Sequence, residues 1–425
     1  MRTHLREGFT TGTAAAAAAF AAVTLLLGGE CPDSAEVALP PFAGDGTPFA
    51  AGNALGGGAP STPPTLVIPI EQGGREGEAV FAVVVKDGGD DPDATHGARI
   101  VVHAAVAPFS LCPERNGKPS EPCRPLPPER EAPAGPVRMN LFSQTIVLYG
   151  GKGVGTVTLP GLPVVVGEPA INPEPRKQIA VAAHAAARAA GYNGPLHLLL
   201  SVPDGEERAR RTLNGRLGIV GGISILGTRG TVRPYSHDAW KCAVAQGMDV
   251  AVALGLREIL LATGRRSERL GLALHPELPP QAGIQAADYA AFSLREAARR
   301  PFDRVIWACF PGKLLKLAQG LEWTHAGAAP TDLALLVRLC GEAGGPDDLI
   351  AALATMPTAA GAFALMERRS VRLRDAVLER LAHLALERML VWLREARTDG
   401  SHACPELVLH VFSPEERLLL SLRAY

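Results

Sequence analysis

Residues 258–319 decide the fold class of the second half of this chain, because strand-like and helix-like segments take turns there. The runs EILLA (258–262) and RVIWACF (304–310) are short and apolar, as buried strands are. The runs ADYAAFSLREAAR (287–299) and LLKLAQ (314–319) read as helices. Parallel neighbouring strands need a crossover connection, usually a helix, so the alternation predicts a mostly parallel sheet covered by helices.

The alternation continues on both sides of this stretch. It adds one helix candidate at His237–Ala253. It also adds three strand candidates, at His197–Val202, Gly218–Leu226 and Glu406–Phe412. Residues 331–397 predict a helical insertion. An apolar stripe of this insertion is predicted at Leu373, Val377, Leu381 and Leu384. A solvated arginine face is predicted at Arg374, Arg380 and Arg388. We therefore predict that residues 196–425 form a Rossmann-like α/β domain that includes the helical segment 331–397.

The first half predicts an α+β arrangement instead. Four strand candidates rich in Val and Ile lie at Thr65–Ile70, Val80–Lys86, Ala98–Val106 and Ser143–Tyr149. Two helices flank them, an alanine-rich one over Ala14–Leu27 and a second over Arg176–Ala190. Glycine and proline dominate residues 31–64 and 112–136, which predicts long loops or insertions. Residues 1–195 are therefore predicted to form an α+β domain with glycine- and aspartate-rich loops.

Size and composition restrict the class of protein. At 425 residues the chain exceeds the usual size of one hydrophobic core, and its formal net charge of −1 provides no positive field for DNA or RNA. Seven cysteines without a C-x-x-C pair favour a reducing compartment. The apolar run Ala14–Leu27 favours a buried helix over a signal peptide, and no other stretch approaches a membrane span. A cytoplasmic protein with no nucleic-acid and no membrane partner is predicted.

Residues 215–230, GRLGIVGGISILGTRG, contain six glycines. Glycine allows positive φ and lets a ligand approach backbone amides, which donate well to carboxylates and hydroxyls. A buried strand with tight turns at its ends explains the pattern equally well. Neither the dinucleotide fingerprint nor the P-loop pattern is present, so neither supports nucleotide binding.

The loop KDGGDDPDATHG, residues 86–97, holds four carboxylates and one imidazole directly after a predicted strand. Such a loop is able to bind a metal, to cap a helix, or to place a base beside a substrate. It does not follow the calcium-loop pattern, and ordinary surface-turn chemistry explains its Asp and Gly content as well.

Further polar turns follow predicted strands. Residues 150–155 and 167–176 form two tight turns, and Thr263–Ser267 presents two guanidiniums at a carboxyl strand end, where ligands of open α/β sheets usually sit. Spacing alone favours ordinary surface roles for Lys313 and Lys316 and a structural role for His325.

Taken together, these segments resemble the cobalt-precorrin-5B C1-methyltransferase family of anaerobic cobalamin biosynthesis. The similarity rests on an ordered set of motifs that covers nearly the whole chain: Gly8–Thr13, Lys86–Gly97, Gly151–Gly155, Ala170–Pro173 with Pro175-Arg176, Asn214–Ser236, Thr263–Arg265, Asp288, Gly312-Lys313 with Lys316, and Thr324-His325. Two positions depart from the family pattern. Ala14 stands where many relatives have cysteine, and Cys309-Phe310-Pro311 replaces the usual turn before Gly312.

The resemblance implies a methyltransferase that moves a methyl group from S-adenosylmethionine to ring carbon C1 of cobalt-precorrin-5B and yields cobalt-precorrin-6A. Cobalt is expected only as part of the substrate, and no protein metal site is expected. On chemical type, the base candidates are Asp90, Asp91 and His96. The expected cofactor contacts are Gly218, Gly221, Gly222, Ser224, Gly227 and Thr228. The expected contacts to the corrinoid substrate are Thr10, Thr11, Arg176, Arg229, Arg265 and Lys313.

Two alternatives stay open on the sequence. One is a nucleotide-dependent enzyme, such as a kinase or ligase with a glycine loop, acting on an acidic metabolite. The other is a non-catalytic tetrapyrrole-binding carrier. The oligomeric state, including a homo-oligomer, also stays open.

Overall fold

The computed structural model describes residues 5–42, 64–76, 79–109, 135–141, 143–325, 327, 332–396 and 403–424. The chain divides into two compact units, Met1–Ser236 (unit 1) and His237–Tyr425 (unit 2). The sequence placed this boundary after residue 195. The division falls later because Leu196–Ser201 pairs with strands of unit 1 on both of its sides. A strand inserted between two others cannot be separated from their sheet without breaking both ladders.

Unit 1 contains three helices and fourteen strands within the described residues. They are β1 (Gly8–Phe9), α1 (Thr11–Leu26), β2 (Ser34–Ala38), β3 (Thr65–Pro69), β4 (Gln72–Glu76), β5 (Ala79–Val85), β6 (Arg99–Ala105), β7 (Val137–Leu141), β8 (Gln144–Gly150), β9 (Gly153–Val154), β10 (Thr156–Val157), α2 (Pro173–Ala189), β11 (Leu196–Ser201), α3 (Gly205–Ala209), β12 (Ile219–Val220), β13 (Gly222–Ile223) and β14 (Thr231–Val232).

A six-stranded mixed sheet organises unit 1, in the order β4-β5-β6-β11-β8-β7. Only the β11–β8 pair is parallel. One face is apolar, because alternate residues such as Ile100, Val102 and Ala104 of β6 point into the core. Helices α1 and α2 pack against this core. The coarse prediction of helices combined with a sheet is therefore confirmed for this half of the chain.

Helix α1 is buried along most of its length. Thr10 caps its amino end, since Thr13 N donates to Thr10 Oγ1 at 3.2 Å. The run of alanines from Ala14 to Ala19 has no exposed surface, because methyl side chains let the helix approach its neighbours closely. The prediction of a buried alanine-rich helix is confirmed, with the start shifted to Thr11.

The strand predicted over Gly218–Leu226 is wrong as a single element. The segment forms two short strands, β12 and β13, which pair with different partners: β12 runs antiparallel to β10, and β13 runs parallel to β9. Gly221 lies between them with φ +84°, a conformation that few other residues adopt without strain. This turn redirects the chain from one partner strand to the other.

Unit 2 contains eight helices, a 3-10 turn and five strands within the described residues. They are α4 (His237–Ala253), β15 (Glu258–Ala262), α5 (Arg265–Leu274), the turn Pro280–Ala282, β16 (Gly283–Gln285), α6 (Ala290–Ala298), β17 (Arg304–Cys309), α7 (Pro311–Ala318), α8 (Ala334–Glu342), α9 (Asp347–Ala354), α10 (Ala359–Arg369), α11 (Val371–Glu395), β18 (Glu406–Phe412) and β19 (Leu418–Ala424).

The sheet of unit 2 has the order β16-β15-β17-β18-β19. The first four strands are parallel, and β19 is antiparallel to β18. Strand β19 was not predicted, because the last predicted strand of the sheet ended at Phe412. Helices cover both faces of the sheet. Trp307 of β17 is fully buried in the core between the sheet and the helices. The mostly parallel sheet predicted from residues 258–319 is present.

The predicted helical segment consists of α8 to α11. Val377 and Leu381 of the predicted stripe are fully buried, whereas Leu373 and Leu384 are half-buried. Arg374 was predicted to be solvated but is buried, where it pairs with Glu367 and Asp375. No helix in the described ranges has both the length and the apolar character that crossing a membrane requires.

Candidate functional site

The aspartate loop, residues 86–97, binds the amino-terminal strand of unit 1. Phe9 N donates to Asp87 O at 2.9 Å, and Asp90 N donates to Arg6 O at 3.0 Å. Arg6 N in turn donates to Asp90 Oδ2 at 2.7 Å, and the Arg6 guanidinium pairs with Asp87. The hydrogen bond from Arg6 lowers the pKa of the Asp87 carboxyl. The strand and the loop are therefore held together by backbone, side-chain and charge contacts.

The same loop also contacts the segment that follows the glycines. Asp91 Oδ1 accepts a hydrogen bond of 2.8 Å from Tyr235 N. Arg208 reaches the far end of the loop, where its Nη1 donates to Ala94 O at 3.0 Å and to His96 O at 2.7 Å. Asp90 and Asp91 were predicted as candidates for the base. The carboxylate of each accepts one hydrogen bond from the backbone of another segment of unit 1.

His96 has a defined tautomer. Gly88 N donates to His96 Nδ1 at 3.0 Å, so this nitrogen carries no hydrogen. A neutral imidazole in this arrangement has its hydrogen on Nε2, and the side chain is 54% exposed. His96 can therefore donate a hydrogen bond outward from Nε2. The geometry supports a donor more than the base predicted from residue type.

Lys86 forms a buried ion pair at the base of the loop. Its side chain is 1% exposed and pairs with Asp93. Asp93 Oδ1 also accepts from Thr95 N and from Thr95 Oγ1, both at 2.7 Å. Burial by itself raises the pKa of the Asp93 carboxyl, but the Lys86 charge and the donated hydrogen bonds outweigh it and lower the pKa. The pair therefore links the start of the loop to its second half.

The glycine segment, residues 218–230, links the other motifs of unit 1 by backbone contacts. Gly155 N donates to Ile223 O at 2.9 Å, and Asn172 N donates to Ile225 O at 2.9 Å. Gly12 N donates to Leu226 O at 3.2 Å, and Thr10 N donates to Gly230 O at 2.9 Å. Sequence motifs from three other parts of the chain therefore meet along one segment.

The six predicted cofactor contacts fall into two groups. Gly218, Gly222 and Ser224 are buried. A Cβ on Gly222 would lie closer than 3.0 Å to the backbone of Gly153, so this glycine is needed for close packing of two strands. Gly221 and Thr228 are exposed and Gly227 is half-buried, which leaves three residues of the six able to contact a ligand.

The two threonines predicted to bind substrate have structural roles. Thr10 is 5% exposed and caps α1. Thr11 is 2% exposed, and its Oγ1 donates to Leu226 O at 3.1 Å and accepts from Leu226 N at 2.9 Å. The Thr11 hydroxyl and the Thr10 backbone N–H, which donates to Gly230 O, join the start of α1 to the glycine segment.

The two arginines of unit 1 differ in accessibility. The Arg176 side chain is 14% exposed, pairs with Glu168 at 2.7 Å and donates to Ile171 O. It would have to give up Glu168 to bind a substrate carboxylate. Arg229 is exposed on the glycine segment. Of the two, Arg229 is the more accessible to a ligand.

Unit 2 has its own cluster at the carboxyl edge of the parallel sheet. Lys313, in the first turn of α7, pairs with Asp288 and donates to Thr324 O at 3.0 Å. Thr324 N donates to Asp288 O at 2.9 Å. Arg265 begins α5 at the same edge and is exposed. The residues of this cluster thus come from family motifs that are up to 60 positions apart in the sequence, counted from Arg265 to His325.

Lys316 was misjudged as a surface lysine. It is 6% exposed, and its Nζ donates to Thr324 O and to His325 O, both at 3.1 Å. Burial and the neighbouring Lys313 charge lower the pKa of Lys316. In the sequence, Asp288 stood out only as a family landmark. The structure shows that it directly follows Ala287, which has φ +49°. That backbone conformation is visible only in the structure.

Comparison with known proteins shows similarity to one family. The family model "CbiD" matches residues 1–50, 59–115 and 133–234, and the model "CbiD, C-terminal domain" matches residues 323–400. The matched ranges contain the aspartate loop, the glycine segment and Thr324-His325.

Curated relatives carry one name, cobalt-precorrin-5B C(1)-methyltransferase. The protein from Nitratidesulfovibrio vulgaris is 48% identical over 362 residues, which cover 85% of this chain and 81% of the relative. The protein from Geobacillus sp. strain WCH70 is 39% identical and covers 85% and 84%, and that from Priestia megaterium is 37% identical and covers 81% and 79%. A crystal structure titled as a cobalamin biosynthesis protein (cbiD) from Archaeoglobus fulgidus is 26% identical, covers 74% of this chain and 79% of that chain, and has a TM-score of 0.34.

Proposed function

Since this chain belongs to the CbiD family, we propose that it methylates C1 of cobalt-precorrin-5B, the activity for which its curated relatives are named. The product would be cobalt-precorrin-6A, and cobalt would enter only inside the substrate. Within the described ranges, no three His, Cys, Asp or Glu side chains are grouped so that they could hold a metal ion. The lack of a protein-bound metal stays a prediction.

One observation carries this proposal. The family model matches residues 59–115 and 133–234, which contain the aspartate loop and the whole glycine segment. In unit 1 these two motifs contact the same amino-terminal segment, residues 6–10. The aspartate loop contacts it through Asp87 and Asp90, and the glycine segment contacts it through Gly230, which β14 directly follows. The matched motifs therefore form one contiguous region of unit 1, which supports a functional site there.

The chemistry assigned to the chain's own residues follows from their contacts. S-adenosylmethionine would supply an electrophilic methyl group, and the ring loses a proton in the net reaction. Asp90 and Asp91 each accept one structural hydrogen bond, but a carboxylate has several acceptor positions, so both are still able to accept a proton. His96 would donate from Nε2 to an oxygen or nitrogen of the substrate. Positioning of this kind contributes several kcal/mol to a displacement that has no covalent intermediate, up to about 7–11 kcal/mol.

The experiment that tests the function is methyl transfer under anaerobic conditions. Purified full-length protein is incubated with cobalt-precorrin-5B and S-adenosylmethionine, and both products are analysed by mass spectrometry. We expect S-adenosylhomocysteine and a corrinoid that carries one additional methyl group at C1. Tight corrinoid binding without S-adenosylhomocysteine would favour the carrier. Binding of a nucleoside triphosphate without methyl transfer would favour the nucleotide-dependent enzyme.

The role of His96 is tested by His96→Asn. Asparagine can still accept the hydrogen bond from Gly88 N but lacks a donor at the place of Nε2. We expect kcat to fall about a hundredfold, the lower end of the range for loss of a proton donor or acceptor in catalysis, with an unchanged melting temperature. The measurement is the initial rate of S-adenosylhomocysteine formation.

The matched control is His383→Asn, which changes an exposed histidine on α11 of unit 2. It should leave kcat and the melting temperature unchanged. If His96→Asn keeps the wild-type rate, the donor role is wrong. If kcat falls only together with the melting temperature, His96 has a structural role.

A further inference from the structure

The strand order of unit 2 contains a reversal. The chain passes from β15 outward to β16 at one edge, and then returns past β15 to β17 on the other side. In open parallel sheets, ligands bind outside the carboxyl ends of the strands at the point where the order reverses. In this unit that point lies between the segments that follow β15 and β17. These segments are Thr263–Arg265, which ends at the first residue of α5, and Phe310–Lys313, which includes the first turn of α7.

Both segments leave space for a ligand. A Cβ built on Gly264 or on Gly312 meets no atom within 4 Å. Gly264 has extended backbone with φ 169°, so its conformation does not require glycine. In unit 1, by contrast, the space beside Gly222 is filled by the backbone of Gly153. Gly264 and Gly312 thus leave room for a bound molecule beside their backbone, whereas on the glycine segment only the exposed turn at Gly221 offers comparable space among the glycines predicted to contact the cofactor.

Polar groups line one side of this position. Lys313 extends from α7 to Asp288, which follows the edge strand β16, and its Nζ also reaches Thr324 O. Arg265 is exposed next to Gly264. A carboxylate beside a ribose can accept from its hydroxyls, and an exposed guanidinium matches an amino-acid carboxylate. The charges present suit a ligand that carries both groups.

An aromatic stack adjoins the same cluster. The rings of Trp323 and His325 are nearly parallel, at 11° and with centroids 5.2 Å apart. They flank Thr324, which the hydrogen bonds to Asp288 and Lys313 hold in place. His237 meets Trp323 edge-on at 4.7 Å. Trp323 is half-buried and His325 is exposed, so a planar base can stack there.

We infer that the methyl donor S-adenosylmethionine binds in unit 2 at this switch-point site, rather than on the glycine segment of unit 1. The switch-point site comprises Gly264, Arg265, Asp288, Gly312, Lys313 and Trp323. The inference rests on the proposed function, because the choice of donor comes from there. The site takes the amino-acid part beside Arg265, the ribose near Asp288 and the adenine on Trp323.

The test is calorimetric titration of the full-length protein with S-adenosylhomocysteine, without corrinoid. Gly264→Val fills the open space, and we expect affinity to fall at least about tenfold with an unchanged melting temperature, since the folded chain has room for the side chain. Trp323→Ala should weaken binding about tenfold, the loss typical of one aromatic stacking partner. In the wild type, the ligand should also change tryptophan fluorescence, and Trp323→Phe should remove that change.

Two variants in unit 1 complete the test. Gly215→Val is the matched control, since Gly215 also has no atom within 4 Å of its Cβ position, and its affinity should equal that of the wild type. Thr228→Val probes the glycine segment and should also leave affinity unchanged. Loss of affinity in Thr228→Val with wild-type affinity in Gly264→Val would overturn the inference and leave the proposed function standing. A wild-type protein that neither binds S-adenosylhomocysteine nor methylates cobalt-precorrin-5B would overturn both.

Discussion

Gly222→Ala is expected to lower the free energy of unfolding by about 3 kcal/mol, the upper range for forcing an atom into a packed region. The added Cβ would lie closer than 3.0 Å to the carbonyl of Gly153 and to the amide of Gly155. Gly153 belongs to β9, and Gly155 directly follows β9 and donates to Ile223 O of β13, so neither can move without disturbing the β13–β9 pairing. The expected result is a lower midpoint of urea unfolding, followed by circular dichroism.

The control for this prediction is Gly215→Ala. Gly215 has open space around its Cβ position, and the change should stay within about 0.5 kcal/mol of the wild type. If Gly222→Ala is as stable as Gly215→Ala, the packing role of Gly222 is wrong. The comparison also affects how cofactor binding is tested. A loss of binding after substitution of Gly222 would report on the fold of unit 1, not on a contact to the ligand.

The second large effect is expected for Asp93→Asn, which should lower the free energy of unfolding by about 3–5 kcal/mol. The change removes the charge that pairs with Lys86, whose side chain is only 1% exposed. The lysine would keep an uncompensated charge away from water, which costs more than the loss of one hydrogen bond. The midpoint of urea unfolding at pH 7 measures the effect.

Two comparisons separate the charge from other causes. The double variant Lys86→Met with Asp93→Leu removes both charges, and it should be more stable than Asp93→Asn alone. Asp90→Asn changes an exposed aspartate of the same loop and should cost about 1 kcal/mol or less. A double variant that is no more stable than Asp93→Asn would contradict the role assigned to the buried pair.

The pH dependence of stability follows from the lowered pKa of Asp93. A carboxyl with a lowered pKa in the folded state stabilises the protein above its unfolded pKa of about 3.9, and this contribution is lost as the pH falls through the folded pKa. The wild type should therefore lose stability in acid more steeply than Asp93→Asn does. Urea unfolding at a series of pH values from 7 down to about 3 checks this difference.

Much of the architecture was predictable because local patterns determine it. The apolar runs EILLA and RVIWACF became β15 and β17, and the segments between and after them became α6 and α7. Thr10 has the side chain that caps a helix, and the alanines after it indicated a buried helix. The order of the motifs along the chain was also enough to indicate the family.

The candidate sites were only partly predictable. Lys316 has the spacing of a surface lysine, and only the folded chain shows that it is buried against the backbone of Thr324 and His325. The glycines of residues 215–230 look alike in the sequence. Gly222 packs against Gly153, Gly221 turns the chain, and Gly215 has space around it, because each meets a different distant neighbour.

The sequence by itself determined the buried amino-terminal helix and the alternation of strands and helices that gives the mostly parallel sheet of the second half. These depend on propensity and periodicity, which act over a few residues. Only the tertiary structure decided that Leu196–Ser201 belongs to unit 1, that Asp90 and Asp91 hold other segments, and that Gly264 rather than Gly222 has free space. The physical reason is that pairing, burial and steric room arise between residues far apart in the chain, and no local pattern encodes which of them will meet.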